Sequence, residues 1–200
     1  MRIIAGKWGG RRLQVPPGTD TRPTGDRVRE ALFSSLHSRL GSFDGLRVLD
    51  AFAGSGALGL ESLSRGAIFL AAIEHNSKAC RIIEHNYESL QGEKPCFKSG
   101  GFRLYRGDAF KLATSLQDLA IDVAFFDPPY DLPDGKLREL LDVLCQAKAF
   151  SYGALIVIER SKNAQEDDML PSGFSLLDVK KKGDTNLYFV RHDIPTIPPG

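Results

Sequence analysis

Cysteine is scarce. Only Cys80, Cys96 and Cys145 occur among 200 residues, they are far apart, and no two form a CxxC pair. An odd, scattered set excludes a disulfide framework and a cysteine-based zinc site. Long apolar runs are missing too. The opening Met1-Arg2-Ile3-Ile4-Ala5-Gly6-Lys7-Trp8 has no extended apolar core, and no stretch approaches the roughly 20 apolar residues that a bilayer crossing needs. The expectation is a cytoplasmic protein, neither exported nor membrane-spanning. The four histidines, His37, His75, His85 and His192, lack metal-ligand spacing and read as solvated or structural. No metal is expected.

Net charge is nearly absent as well, at +1, which excludes a uniformly basic binder but hides an uneven distribution. Residues 1–40 hold eight Lys or Arg (Arg2, Lys7, Arg11, Arg12, Arg22, Arg27, Arg29, Arg39) against Asp20, Asp26 and Glu30, a local +5 that leaves −4 for the remainder. A basic arm on a mildly acidic body suits an extension that contacts phosphates, because bound Lys and Arg displace condensed counterions.

What is present, 42% hydrophobic and 26% charged residues, fits one α/β domain with a full core, 41–194, preceded by the arm 1–40 and followed by a frayed tail, 195–200. The arm reads as a small hairpin or extended piece, Arg2 to Ala5 and Arg11 to Val15 around Gly6-Lys7-Trp8-Gly9-Gly10, then a Pro/Gly/Thr loop through Pro23. Trp8 either stacks on a base or plugs the arm onto the core; the residues leave both open. Thr24 is placed to cap a helix whose apolar stripe is Val28, Ala31, Leu32, Ser35 and Leu36.

From Leu46 a strand, turn and helix pattern repeats. The expected strands are Leu46 to Ala51, Ile68 to Glu74, Leu104 to Gly107, Ile121 to Phe126 and Ala154 to Glu159. Ala79, Ile83, Tyr87 and Leu90 line one helical face; Leu137, Leu140, Leu141 and Leu144 line another. Such alternation implies a mostly parallel sheet with helices on both faces. Phe174 to Val179 and Leu187 to Arg191, joined by Lys180-Lys181-Lys182-Gly183-Asp184, add a closing antiparallel hairpin.

Four strand ends carry acids. Asp50 precedes a glycine turn, Phe52-Ala53-Gly54-Ser55-Gly56-Ala57-Leu58-Gly59, where a cofactor can approach bare backbone. The string serves dinucleotides, S-adenosylmethionine or no ligand at all. A carboxylate at position 50 repels a pyrophosphate but suits a sulfonium and an amino group, which favours S-adenosylmethionine. Glu74, twenty residues after Gly54, is placed for ribose hydroxyls, and Asp108 with Ala109 for the exocyclic amine of adenine. Asp127-Pro128-Pro129-Tyr130 closes the apolar run Ile121 to Phe126. The carboxylate and the Pro128 carbonyl accept hydrogen bonds, the prolines stiffen the backbone, and Tyr130 offers a stacking face. That combination grips a flat amino group.

The arm (Met1 to Gly6, Gly10-Arg11), Arg22-Pro23-Thr24, Arg27 to Phe33, the loop Asp50 to Gly59 and Asp127 to Tyr130 together resemble the RsmD type of bacterial 16S ribosomal RNA (guanine-N2) methyltransferase, over nearly the whole chain. The resemblance implies a Rossmann-like class I S-adenosylmethionine-dependent fold, one target guanosine in small-subunit ribosomal RNA, and preference for a partly assembled particle with its ribosomal proteins. By position it implies that Asp50, Phe52, Gly54, Gly56 and Glu74 hold methionine and ribose, Asp108 and Ala109 the adenine, and Asp127 to Tyr130 the base. Lys7, Arg11, Arg12, Arg22, Thr24 and Arg27 border the RNA. A monomer is expected. The nearest rivals are enzymes of the same fold acting on DNA adenine N6, cytosine N4 or a protein glutamine; a more distant one is an NAD(P)-dependent oxidoreductase.

Overall fold

Residues 1–16, 23–91, 101–162, 164 and 166–194 are described by the computed structural model, which divides into two units, Met1–Gly107 and Asp108–Gly200. Arg22, the loop 17–22, Cys96 and the tail 195–200 lie outside the described residues, as does the side chain of Thr24.

The first unit contains α1 (Pro23–Leu40), β1 (Arg47–Asp50), α2 (Ala57–Ser64), β2 (Phe69–Glu74), α3 (Ser77–Gln91) and β3 (Phe102–Arg106). Its strands run in the order β3-β2-β1, all parallel, with Asp50 beside Ala72 and Glu74 beside Arg106. Every residue of β2 is buried, the signature of a parallel strand covered on both faces. β3 starts two residues before its expected beginning; the Phe102 ring lies 4.4 Å from that of Tyr87 on α3, so packing extends the strand.

The helix after the arm differs from the reading above in two respects. It begins at Pro23, so Thr24 is its second residue and not its cap; proline suits the first helical position because its missing N–H would have no intrahelical partner there. Its buried face is also rotated. Ala31 is exposed, while Arg29, Leu32, Phe33, Ser35 and Leu36 are buried. Phe33 wins because its large ring finds Phe43 at 5.5 Å and the Arg65 guanidinium at 4.7 Å, whereas Ala31 has little area to bury.

The arm is docked on α2 by backbone capture. The arm is a short hairpin: Arg2 pairs antiparallel with Arg12, Ile3 N–H donates to the Arg11 carbonyl (2.9 Å), Gly10 N–H to the Ile3 carbonyl (2.9 Å) and Leu13 N–H to the Met1 carbonyl (3.0 Å). The fully buried Glu61 carboxylate accepts from Ile4 N–H (2.6 Å) and Ala5 N–H (3.0 Å) and pairs with Arg65 at 2.7 Å. Ser64 Oγ accepts from Trp8 N–H and donates to the Ala5 carbonyl, while its backbone carbonyl accepts from Lys7 N–H. A Cβ at Gly6, whose φ is +84°, would lie 2.0 Å from the Ser64 carbonyl oxygen, so only glycine permits the approach. Trp8 is 6% exposed: it plugs the arm onto this unit.

The second unit contains β4 (Ile121–Phe126), β5 (Phe150–Ser161), β6 (Phe174–Lys182) and β7 (Thr185–His192), with helices α4 (Ala109–Leu112), α5 (Asp134–Gln146) and α6 (Glu166–Met169). The strand order is β4-β5-β7-β6; β4 and β5 are parallel, and β7 is antiparallel to both neighbours. All four leucines expected on α5 are buried. β5 begins four residues early because Gly153, at φ +77°, and a register shift against Ile121/Val123 absorb a bulge, which from composition looks like a turn. The hairpin turn narrows to Gly183-Asp184, with Gly183 at φ +60°, and Lys180 to Lys182 become strand residues paired with Leu187 to Thr185. Among the described residues no helix is long and apolar enough to cross a membrane.

Candidate active site

The glycine turn of the first unit is built around two carboxylates. Asp50 ends β1 at 4% exposure, and its Oδ2 accepts from Gly59 N–H at 3.1 Å, holding the first turn of α2 against the strand end. Gly59 also lets α2 pack against β2, since a Cβ there would sit 2.5 Å from Leu70 Cδ1. Glu74 ends β2 at 8% exposure; its Oε2 accepts from Gly54 N–H (2.8 Å) and its Oε1 from Asn76 N–H (2.7 Å). Oε2 retains a lone pair for a further donor, while Oε1 also faces His75 Nδ1 at 3.3 Å. Gly54 has φ +56°, and a Cβ there would meet nothing within 4 Å, so bare backbone faces open space. Gly56 lies at φ +77°, and Phe52 is half-buried.

In the second unit, Asp108 is exposed and caps α4, its Oδ1 accepting from Phe110 N–H at 2.9 Å, with Ala109 buried behind it. Asp127 leaves the buried end of β4 exposed, Pro128 is buried, Pro129 is exposed, and Tyr130 is 75% exposed. The Pro129 carbonyl accepts from Leu132 N–H at 3.0 Å.

Of the basic residues, Lys7, Arg12 and Arg27 are exposed, Lys7 lying 4.5 Å from the Trp8 ring centroid. Arg12 and Arg27 line hollows of about 830 and 490 Å³ that share Arg2, Gly10 and Asp26. Arg11 is exposed and is engaged with a helix end. Its guanidinium donates to the Leu90 (2.9 Å) and Ser89 (2.5 Å) carbonyls, so it caps the end of α3, where unpaired carbonyls attract a cation.

Two residues of the first unit escaped sequence reading. Buried Asn86 pairs with both backbone groups of Gln14 (2.8 and 2.9 Å) and donates to the Ser55 carbonyl at 3.1 Å, tying the arm to the glycine turn. Glu61 is the other. The available signals were a polar residue on the apolar face of α3 and a lone acid in Ala57-Leu58-Gly59-Leu60-Glu61-Ser62-Leu63. Cys80 and Cys145 are not poised as nucleophiles: burial pushes the Cys145 thiol up to about 12 and raises Cys80, with the Glu74 charge adding to the latter.

The family described as Conserved hypothetical protein 95 matches residues 1–191. The chain is 32% identical over 183 residues to Ribosomal RNA small subunit methyltransferase D of Haemophilus influenzae, covering 92% of this chain and 89% of that one. It is 36% identical over 159 residues to the protein of the same name from Escherichia coli K12, covering 80% and 74%. The solved structure of yhhF from Escherichia coli superposes with a TM-score of 0.76 at 29% identity, covering 96% of this chain and 98% of that one. SMU.776, solved with SAH bound, shares the fold at a TM-score of 0.63 and 15% identity, over 84% of this chain and 49% of that one.

Proposed function

Because the chain belongs to the family described as Conserved hypothetical protein 95, the RsmD type of ribosomal RNA methyltransferase, we propose that it methylates the exocyclic N2 amine of one guanosine in small-subunit ribosomal RNA, on an assembled or partly assembled particle. The observation that carries this reading is the exposed carboxylate and ring of Asp127 and Tyr130 on a proline-stiffened turn at the end of a buried strand.

The residues present fit S-adenosylmethionine. Gly54 leaves its backbone bare, Glu74 Oε2 keeps a lone pair for a ribose hydroxyl, and Asp50 and Glu74 supply negative charge that suits a cationic ligand and repels a pyrophosphate. Asp108 Oδ1 is engaged at the helix cap, which leaves Oδ2 for the adenine amine. When bound, this cofactor supplies an electrophilic methyl carbon on a sulfonium.

The chain's own groups do the positioning. The guanine amine is conjugated to its ring and is a poor nucleophile. Asp127 and the Pro128 carbonyl accept its two N–H bonds, bias the nitrogen toward tetrahedral geometry and aim its lone pair; Tyr130 stacks on the ring. Positive charge develops on the nitrogen as the new C–N bond forms, and Asp127 stabilises it there. The proton then leaves to the carboxylate or to water. Exposed Lys7, Arg12 and Arg27 contact flanking phosphates, and a loop nucleotide is favoured because it need not be extracted from a helix.

Calorimetry with S-adenosylmethionine and NADH, paired with methyl transfer to unmodified small-subunit particles, duplex DNA and a glutamine peptide, tests the reading. S-adenosylmethionine binding and transfer to the particle alone are expected. Binding of NADH alone, or transfer to DNA or peptide alone, would overturn it.

A further inference from the structure

Arg160, near the end of β5, is 6% exposed although it carries a permanent charge. Its Nε donates to Asp134 Oδ1 at 2.8 Å, its Nη1 to the Pro129 carbonyl at 3.3 Å, and its Nη2 to the Leu132 carbonyl. All three acceptors fall between residues 129 and 134, directly after Asp127-Pro128. One side chain from a neighbouring strand therefore holds the second half of the turn and the first residue of α5.

The need for such a clamp follows from the turn's chemistry. Prolines fix φ but leave ψ free, so Pro129 and Pro133 do not by themselves orient their carbonyls; Pro128, which precedes a proline, has its ψ restricted as well. They also remove three N–H groups that could have pinned the backbone. Tyr130, at 75% exposure, gains little restraint from side-chain packing. Its orientation must then come from the backbone beneath it. The Pro129 carbonyl is held from two sides, by Leu132 N–H and by Arg160, which sets the peptide plane that leads into Tyr130. Only a guanidinium offers donors along three fixed directions in one plane; a lysine ammonium is a single point charge that cannot span them.

We propose that Arg160 is a positioning residue for methyl transfer: it locks the backbone of residues 129–134 so that Asp127 and Tyr130 are presented in one geometry to the acceptor amine. This rests on the reading of Asp127 to Tyr130 given above. A misplacement of about 1 Å at a reacting group is enough to cost about 10²-fold in rate.

The test uses the full chain carrying Arg160→Lys or Arg160→Ala, with three readouts: hydrogen exchange of residues 127–134, kcat with S-adenosylmethionine affinity, and the effect of millimolar guanidinium. In both variants the Leu132 amide is expected to exchange at least about tenfold faster while β4 amides keep their protection. Turnover is expected to fall by about 10- to 100-fold with cofactor affinity within twofold, and added guanidinium restores Arg160→Ala. Unchanged exchange in the turn, or Arg160→Lys turning over like the parent, overturns the proposal. Should Arg160→Ala not fold, Arg160→Lys decides alone. If the parent chain methylates no RNA amine, the site reading fails, yet the exchange comparison still reports whether the clamp exists.

Discussion

Asp127→Ala is expected to lower the rate of methyl transfer by about 10²- to 10³-fold, the usual consequence of deleting one preorganised group that meets developing charge. Cofactor affinity should stay within a few-fold, because the groups assigned to the cofactor are Asp50, Gly54, Glu74 and Asp108. Two effects combine in the loss. The acceptor amine is left with one hydrogen-bond partner, the Pro128 carbonyl, and its lone pair is no longer aimed. The cation forming on nitrogen also loses its counter-charge. Asp127→Asn, which keeps one acceptor oxygen and no charge, should fall between parent and alanine. Single-turnover rates and a calorimetric titration separate the two quantities. Lost cofactor binding with intact turnover would contradict the assigned role.

The second large effect concerns stability. Glu61 is fully buried, accepts two backbone N–H groups from the arm and pairs with Arg65. Replacing it with alanine leaves those partners in the interior without an acceptor, a loss of about 3–5 kcal/mol. For a chain of this size that lowers Tm by very roughly 6–20 °C. Part of the cost is avoided if the arm lets go of α2, and the protein carries its own reporter of that event. Trp8 is the single tryptophan and is buried against this unit. In Glu61→Ala its emission should shift to the red and become open to acrylamide quenching, and RNA affinity should fall with a shallower salt dependence as Lys7 and Arg12 lose their fixed places. A blue, unquenched Trp8 in a destabilised Glu61→Ala would show that the arm is held by other contacts.

Much of the architecture was legible because burial writes itself into composition. Ile121 to Phe126 was read at its observed bounds, since a parallel strand covered on both faces is an unbroken apolar run ending in a hard stop. The leucines of α5 and the antiparallel closing hairpin came through for the same reason. The relationship to yhhF and to the two methyltransferase D proteins agrees with a Rossmann-like methyltransferase fold. Errors collected where long-range contacts decide. Ala31 was read as buried and Phe33 was not, because period alone cannot say which side of α1 meets Phe43 and Arg65. Beyond sequence reading, too, was that Arg11 caps α3, some 80 positions further on, which depends on how the arm is threaded.

The candidate site shows the same division. The strand-end acids Asp50, Glu74, Asp108 and Asp127 could be found by position, and each is at the end of its strand or in the turn that follows. Invisible were the residues that hold the turns: Asn86, which bridges Gln14 and Ser55, and Arg160, which spans Pro129 to Asp134. Apart from the Asp134 carboxylate their partners are backbone atoms, and a backbone partner leaves no mark on the sequence.

The claim on which the account turns is that the turn following Phe126 grips an exocyclic guanine amine. Its most direct test is to methylate unmodified small-subunit particles with isotopically labelled S-adenosylmethionine, digest the RNA to nucleosides and locate the label by base and atom. The account predicts one labelled species, guanosine methylated at N2, at a single site. Label on a ring nitrogen, on a ribose hydroxyl or on a base other than guanine would contradict it.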